Sequence, residues 1–184
     1  MGLLDGKVCL VSGAGQGLGR AISREMAAEG AAVVLLERNG ETVAAVAQEI
    51  AKAGGTAHPY QLDVTNYDGY GKVVADVAMK LGRIDVLINN AAINPPTRTI
   101  LNDTLEDWRA QIAVNLKAVY VGCTLVAPHM VARGSGRIIS ITSIQGFASS
   151  GQVGAYNAAK GGIIAFTKSL AVELAPHGIA ANAI

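Results

Sequence analysis

Toward the end of the chain, SIQGFASSGQVGAYNAAK places Ser143, then Tyr156 thirteen residues on, then Lys160 four residues further. A four-residue step on a helix puts the Tyr156 phenol and the Lys160 ammonium on one face. The apolar residues that follow, Ile163, Ile164, Phe166, Leu170 and Leu174, continue that helix. An ordinary tyrosine titrates near 10, so bringing one to neutrality needs about 4 kcal/mol of differential stabilisation. A neighbouring lysine cation could supply part of it. Ser143 is expected at the end of a strand beginning near Arg137, where its hydroxyl could donate to a substrate oxygen. Alone, a Tyr-x-x-x-Lys pair on an exposed helix face would carry little meaning.

A second group lies near the start. Directly after an apolar run, SGAGQGLGR sets glycines at 13, 15, 17 and 19 before a helical pattern. Such a turn aims backbone N–H groups and the positive end of a helix dipole at a phosphate. Gly13, Gln16, Gly17, Leu18 and Gly19 are therefore the expected cofactor-binding positions of this loop. Eighteen residues beyond Gly19 comes Glu37, close to where a carboxylate would meet the ribose hydroxyls of an adenosine. That favours NAD. Arg38 follows at once and could turn toward a 2′-phosphate, which keeps NADP open, and both residues could also be simple surface charges.

These groups need a scaffold. Short apolar runs without polar alternation recur at Val8 (VCLVS), Ala32 (AVVLLE), Ile84 (IDVLINN) and Arg137 (RIISITS), as strands covered on both faces read. Between them lie helical patterns, such as the stripe Leu18, Ile22, Met26, with stops at Gly30, Gly54, Gly82, Gly134 and Gly178. Thr104 with Asp107 has the form of a capping box opening a long helix. The alternation predicts an α/β fold: one doubly wound, Rossmann-type parallel sheet over residues 1–184, with chemistry beyond the carboxyl ends of its strands. The last segment, GIAANAI, reads as a sixth strand inside which the chain stops, so a truncated chain is expected.

Composition narrows the class. Lys plus Arg (15) nearly cancels Asp plus Glu (14), which leaves no electrostatic footprint for nucleic acid. The longest apolar run, AVYVGCTLVAP, is about half of the ~20 residues a membrane helix needs, so no membrane partner is expected. Cys9 and Cys123 each sit in apolar runs, as buried reduced thiols do, which points to the cytoplasm. His58, His129 and His177 lack metal-ligand spacing, and no metal is expected.

Together, Gly13-x-x-x-Gly17-x-Gly19, Asn89-Asn90-Ala91-Ala92, Asn115, Ser143 and Tyr156-x-x-x-Lys160 resemble the short-chain dehydrogenase/reductase family in its compact single-domain branch. The resemblance implies hydride transfer between a nicotinamide and a carbonyl or alcohol carbon. Tyr156 would be the general acid/base, Lys160 would lower its pKa and bind the nicotinamide ribose, and Ser143 would polarise the carbonyl. Asn115 would help hold a water in a proton relay to the lysine. Asp63 and Val64 would flank the adenine, and Asn90 and Ala91 would line the cofactor. The family more often has glycine where Ala92 stands, and its members continue into a C-terminal substrate loop and a last strand that are absent here. A homodimer or homotetramer packed through the helices at Thr104 to Val131 and Val153 to Ala175 is also implied.

The substrate expected is a small alcohol, polyol, sugar or ketone, used with NAD. Two alternatives stand beside it: an NADPH-dependent 3-oxoacyl thioester reductase, and a non-catalytic dinucleotide-binding or interaction module.

Overall fold

The computed structural model describes residues 2–94, 98–149 and 151–184. Strands and helices alternate: β1 (Val8–Ser12), α1 (Gly17–Ala28), β2 (Ala32–Glu37), α2 (Gly40–Lys52), β3 (Thr56–Gln61), α3 (Tyr67–Leu81) and β4 (Val86–Asn89). Then come α4 (Leu105–Ile112), a π-helical turn (Ala113–Lys117), α5 (Ala118–Val131), β5 (Gly136–Ser140), a 3₁₀ turn (Ile144–Gly146), α6 (Gly154–Leu174), a second 3₁₀ turn (Ala175–His177) and β6 (Ile179–Ala183). The six strands form one parallel sheet in the order β3-β2-β1-β4-β5-β6. The order reverses between β1 and β4, and a crevice opens at the carboxyl ends of strands flanking such a switch point.

Both faces of the sheet are covered, which explains why β1, β2 and β4 show no alternation. Leu10, Val34, Leu36 and Leu87 pack on one side with α3, α5 and α6. Cys9, Val11, Val33 and Leu35 pack on the other with α1 and α2. β3, at the edge, carries Pro59 and an exposed pattern, as an edge strand tolerates.

Three expectations are corrected. The face of α1 that meets the sheet is Gly19, Ser23 and Ala27, while Leu18 is 54% exposed and Ile22 and Met26 only flank the core. Small residues let the helix approach closely, and the larger side chains are displaced to its edges. The helix from Thr104 is interrupted by the π turn, centred on Asn115. Such turns occur mostly as local bulges, often at functional sites. Finally, β5 ends at Ser140, so Ser143 lies in the loop beyond it as the N-cap of the 3₁₀ turn, its Oγ accepting from the Gln145 N–H at 3.2 Å.

The α4–π–α5 run of 27 residues is long and apolar enough to cross a membrane by length and composition, unlike the short run visible in the sequence. Its buried residues Ala118, Val119, Gly122, Cys123, Val126 and Met130 belong to the helix layer over the sheet. Thr104 caps α4 with Asp107: its Oγ1 accepts from the Asp107 N–H at 3.1 Å and donates to the Asp107 carboxylate at 2.8 Å.

Candidate active site

The glycine loop lies at the carboxyl end of β1. The first helical hydrogen bond of α1 runs from Arg20 N–H to the Gln16 carbonyl at 3.1 Å, and no Gln16 side-chain bond caps the helix. The N–H groups of Gly17, Leu18 and Gly19 therefore precede the ladder and are the ones a helix N-terminus offers to an anion. Gly17 has φ 51° and nothing within 4 Å of where a Cβ would stand, so the outer side of the loop is open. A Cβ on Gly19 would strike the Gly13 carbonyl oxygen, which accounts for glycine there. The loop fits a diphosphate sterically and electrostatically.

Beside it runs a groove of about 170 Å³ lined by Gly13, Gln16, Glu37, Asp63, Val64 and Ala91, together with Arg38, Thr65 and Ile93. Residues chosen from distant parts of the sequence thus share one wall. Glu37 ends β2, and its carboxylate accepts from the Gly15 and Asn39 N–H groups, each at 3.2 Å. Asp63 accepts from the Thr65 N–H (2.9 Å) and hydroxyl (2.7 Å), and those bonds hold its carboxyl below the usual carboxylate range.

Asn90 behaves as a strap. Its Nδ2 donates to the carbonyls of Ser12 (2.9 Å) and Gly13 (3.1 Å), and its N–H donates to Ser12 Oγ. It holds the loop after β4 against the glycine loop, while Ala91, Ala92 and Ile93 form the groove wall. Among the described non-glycine residues only Gln152 has a positive φ, so alanine at 92 sits on ordinary backbone.

Asn115 is wholly buried. Its Oδ1 accepts from the Ile93 N–H at 2.8 Å, while its Nδ2 donates to the Ile93 carbonyl at 2.9 Å and to Gln111 Oε1 at 2.6 Å. The π turn and the groove wall are joined through this one amide. Gln111, 2% exposed, was not singled out by spacing; a Gln four residues before a buried Asn is the available signal.

Tyr156, half-buried, and Lys160, 3% exposed, occupy successive turns of α6. Lys160 Nζ lies 5.7 Å from the Tyr156 ring centroid and donates to the Ile141 carbonyl at 2.7 Å. Burial lowers the Lys160 pKa to about 8. Ile141 is two residues before Ser143, so the loop that carries the serine touches the lysine directly. Cys9 and Cys123 are buried free thiols, both pushed up to about 12 by burial, and neither joins the site.

A doubly wound sheet with a diphosphate loop at its switch point and a Tyr-Lys pair on the helix before β6 defines a dinucleotide-dependent oxidoreductase class. A family model described as short chain dehydrogenase matches residues 7–184, and the chain belongs to that family. The 3-oxoacyl-[acyl-carrier-protein] reductase FabG of Thermotoga maritima is 41% identical over 184 residues, covering 98% of this chain and 73% of that protein. Among solved structures, a metagenomic short-chain oxidoreductase in complex with NADP superposes with a TM-score of 0.95 at 37% identity, covering 98% of this chain and 81% of that one. An NAD+-bound xylitol dehydrogenase superposes with a TM-score of 0.96 at 32% identity, covering 98% and 70%.

Proposed function

We propose that the protein is an oxidoreductase transferring a hydride between NAD(H) and the carbinol or carbonyl carbon of a small alcohol, polyol, sugar or ketone. The observation that carries this reading is the fixed pair on α6: a buried Lys160 ammonium held on the Ile141 carbonyl, 5.7 Å from the Tyr156 ring. When bound, the nicotinamide supplies the hydride acceptor or donor. The chain supplies everything else. Gly13, Gln16, Gly17, Leu18 and Gly19 hold the diphosphate, Glu37 the adenosine ribose, and Asp63, Val64 and Ala91 the adenine end, with Asn90 bracing the wall.

Tyr156 moves the proton at the substrate oxygen, and Ser143 donates a hydrogen bond to that same oxygen. Lys160, charged below pH about 8, places a cation where it stabilises a phenolic oxygen that has given up its proton. Asn115 keeps the Ile93 segment in place and, through its π turn, supports a water-mediated proton path to Lys160.

The Glu37 carboxylate favours NAD, and the NAD+-bound xylitol dehydrogenase lends support to a polyol or related alcohol. Similarity to the 3-oxoacyl reductase of Thermotoga maritima favours a second reading, reduction of a 3-oxoacyl thioester with NADPH. The two separate by titrating both dinucleotides and assaying polyols, sugars, ketones and a 3-oxoacyl thioester. NAD-linked turnover of an alcohol supports the first reading, and thioester reduction with NADPH the second. Dinucleotide binding without turnover of any of them would overturn both.

We assign the protein to the cytoplasm, where buried thiols such as Cys9 and Cys123 stay reduced. A homodimer or homotetramer is the proposed assembly. A groove between α5 and α6, lined by Tyr120, Ala127, Val131, Phe166 and Leu170 with Tyr120 and Phe166 edge to face, offers apolar surface for a second copy. A monomer by light scattering at micromolar concentration would refute it.

A further inference from the structure

The segment Ile141–Gly146 is stitched to α6 at one place. Lys160 Nζ donates to the Ile141 carbonyl at 2.7 Å, and the Thr142 hydroxyl donates to the Lys160 carbonyl at 2.9 Å. The two bonds run in opposite directions, so the side-chain end and the backbone end of one lysine are held by consecutive residues. Gly146 closes the contact: a Cβ there would come within 3.0 Å of the Lys160 carbonyl carbon, 3.1 Å of Gly161 N and 2.8 Å of Ile164 Cδ1. Ser143 lies between these fastenings.

We propose that Thr142 is a positioning residue, whose hydroxyl locks the Ser143 loop onto α6 and thereby sets the placement of Ser143 and of the Lys160 ammonium relative to Tyr156. This rests on the oxidoreductase reading of the site. Thr142 touches neither substrate nor dinucleotide in this role, and it acts through Lys160 and its neighbour Ser143. The Lys160 carbonyl lies within α6, so the helix does not depend on the extra bond; the Ile141 and Thr142 N–H groups tie the loop to the sheet side, at the Asn89 and Ile184 carbonyls, and the hydroxyl fixes its side facing α6. The Ser143 Oγ bond is local, accepting from the Gln145 N–H two residues on, and leaves its O–H free to donate.

Loss of the hydroxyl loosens the seat of the loop on Lys160 and admits water to the ammonium, while the Ile141 N–H stays on the Asn89 carbonyl and the Thr142 N–H on the Ile184 carbonyl. The ammonium, which faces the Tyr156 ring and the Ile141 carbonyl, then regains solvation. Burial is what holds the Lys160 pKa at about 8, so its titration should move upward.

The test compares wild type, Thr142→Val and Thr142→Ser by the pH titration of the Lys160 Cε carbon resonance, assigned by its disappearance in Lys160→Arg. The Val variant should shift the midpoint upward by about one unit or more and lower kcat at least tenfold. The Ser variant, which keeps the hydroxyl, should match wild type in both. Thr142→Ala is carried in parallel in case the Val variant does not fold, with the same expectation. A wild-type midpoint in a folded variant lacking the hydroxyl would overturn the clamp. The resonance is read without turnover, so an inactive wild-type enzyme would count against the oxidoreductase reading and leave this result separately decisive.

Discussion

Asn115 grips Ile93 by both of its backbone groups, accepting from the N–H at 2.8 Å and donating to the carbonyl at 2.9 Å. One buried amide thus joins the π turn to the wall of the cofactor groove. Asn115→Ala would leave both Ile93 groups and the buried Gln111 Oε1 without this partner, at a cost of about 1–3 kcal/mol for each group that stays dry. Denaturant unfolding should show the loss, and isothermal titration should show weaker dinucleotide binding. Unchanged stability and affinity would mean that Ile93 is held by something else.

Glu37 should decide between the two dinucleotides. A 2′-phosphate near its carboxylate costs on the order of 4 kcal/mol at an effective dielectric of 20, about a thousandfold in affinity. The wild type should bind NAD much more tightly than NADP, and Glu37→Ser should narrow the gap by weakening NAD and admitting NADP beside Arg38. Fluorescence titration of the reduced forms checks this. Tighter NADPH binding by the wild type would reverse the assignment.

Much of this arrangement is legible in the sequence because its signals are local. The glycine loop, Glu37 at the end of β2, and the Tyr156–Lys160 step each depend on residues within one strand–turn–helix unit. The rest depends on contacts between distant segments. Ser143 falls outside β5 because the chain turns after Thr142, whose N–H still meets the Ile184 carbonyl at 2.7 Å while its hydroxyl turns to α6. The π turn carries Asn115, whose side chain bonds Ile93 twenty-two residues earlier, a pairing that no helical period reveals. Leu18, Ile22 and Met26 form a regular stripe, yet the sheet selects the smaller Gly19, Ser23 and Ala27.

Lys160 makes stability depend on pH in a direction opposite to that of a paired lysine. Burial lowers its folded pKa to about 8 from an ordinary 10.5, so between these values the unfolded chain binds more protons and folding becomes more favourable as pH rises. The full penalty, about 3 kcal/mol, applies below pH about 8. Lys160→Met removes it. The variant's stability relative to wild type should therefore decline between pH 8 and 10.5 in urea unfolding. A difference that stays constant over that window would mean the ammonium is well solvated.

Asp85, 6% exposed at the opposite end of β4, carries a structural charge. Burial alone would raise its pKa, but hydrogen bonds from Arg83 and the Val8 N–H, with Arg133 nearby, hold the carboxyl below its usual range. Its contribution is present above the unfolded value near 4 and lost as pH falls through the lower folded value. Asp85→Asn should destabilise the fold at pH 7 by about 1.5–3 kcal/mol, through the lost charge-assisted hydrogen bonds from the partly exposed Arg83 and Arg133. Thermal unfolding at pH 7 and at pH 3 should show a smaller difference at pH 3; equal differences would exclude the carboxylate charge as the cause.

Proton transfer at Tyr156 is tested most directly by the turnover of Tyr156→Phe with NAD and an alcohol that the wild type oxidises. Removing one hydroxyl leaves the ring and its packing beside Lys160 in place, so dinucleotide affinity should stay within about twofold while kcat falls by about a hundredfold to ten-thousandfold. A phenylalanine variant that turns over at close to the wild-type rate would contradict a phenol that moves the proton.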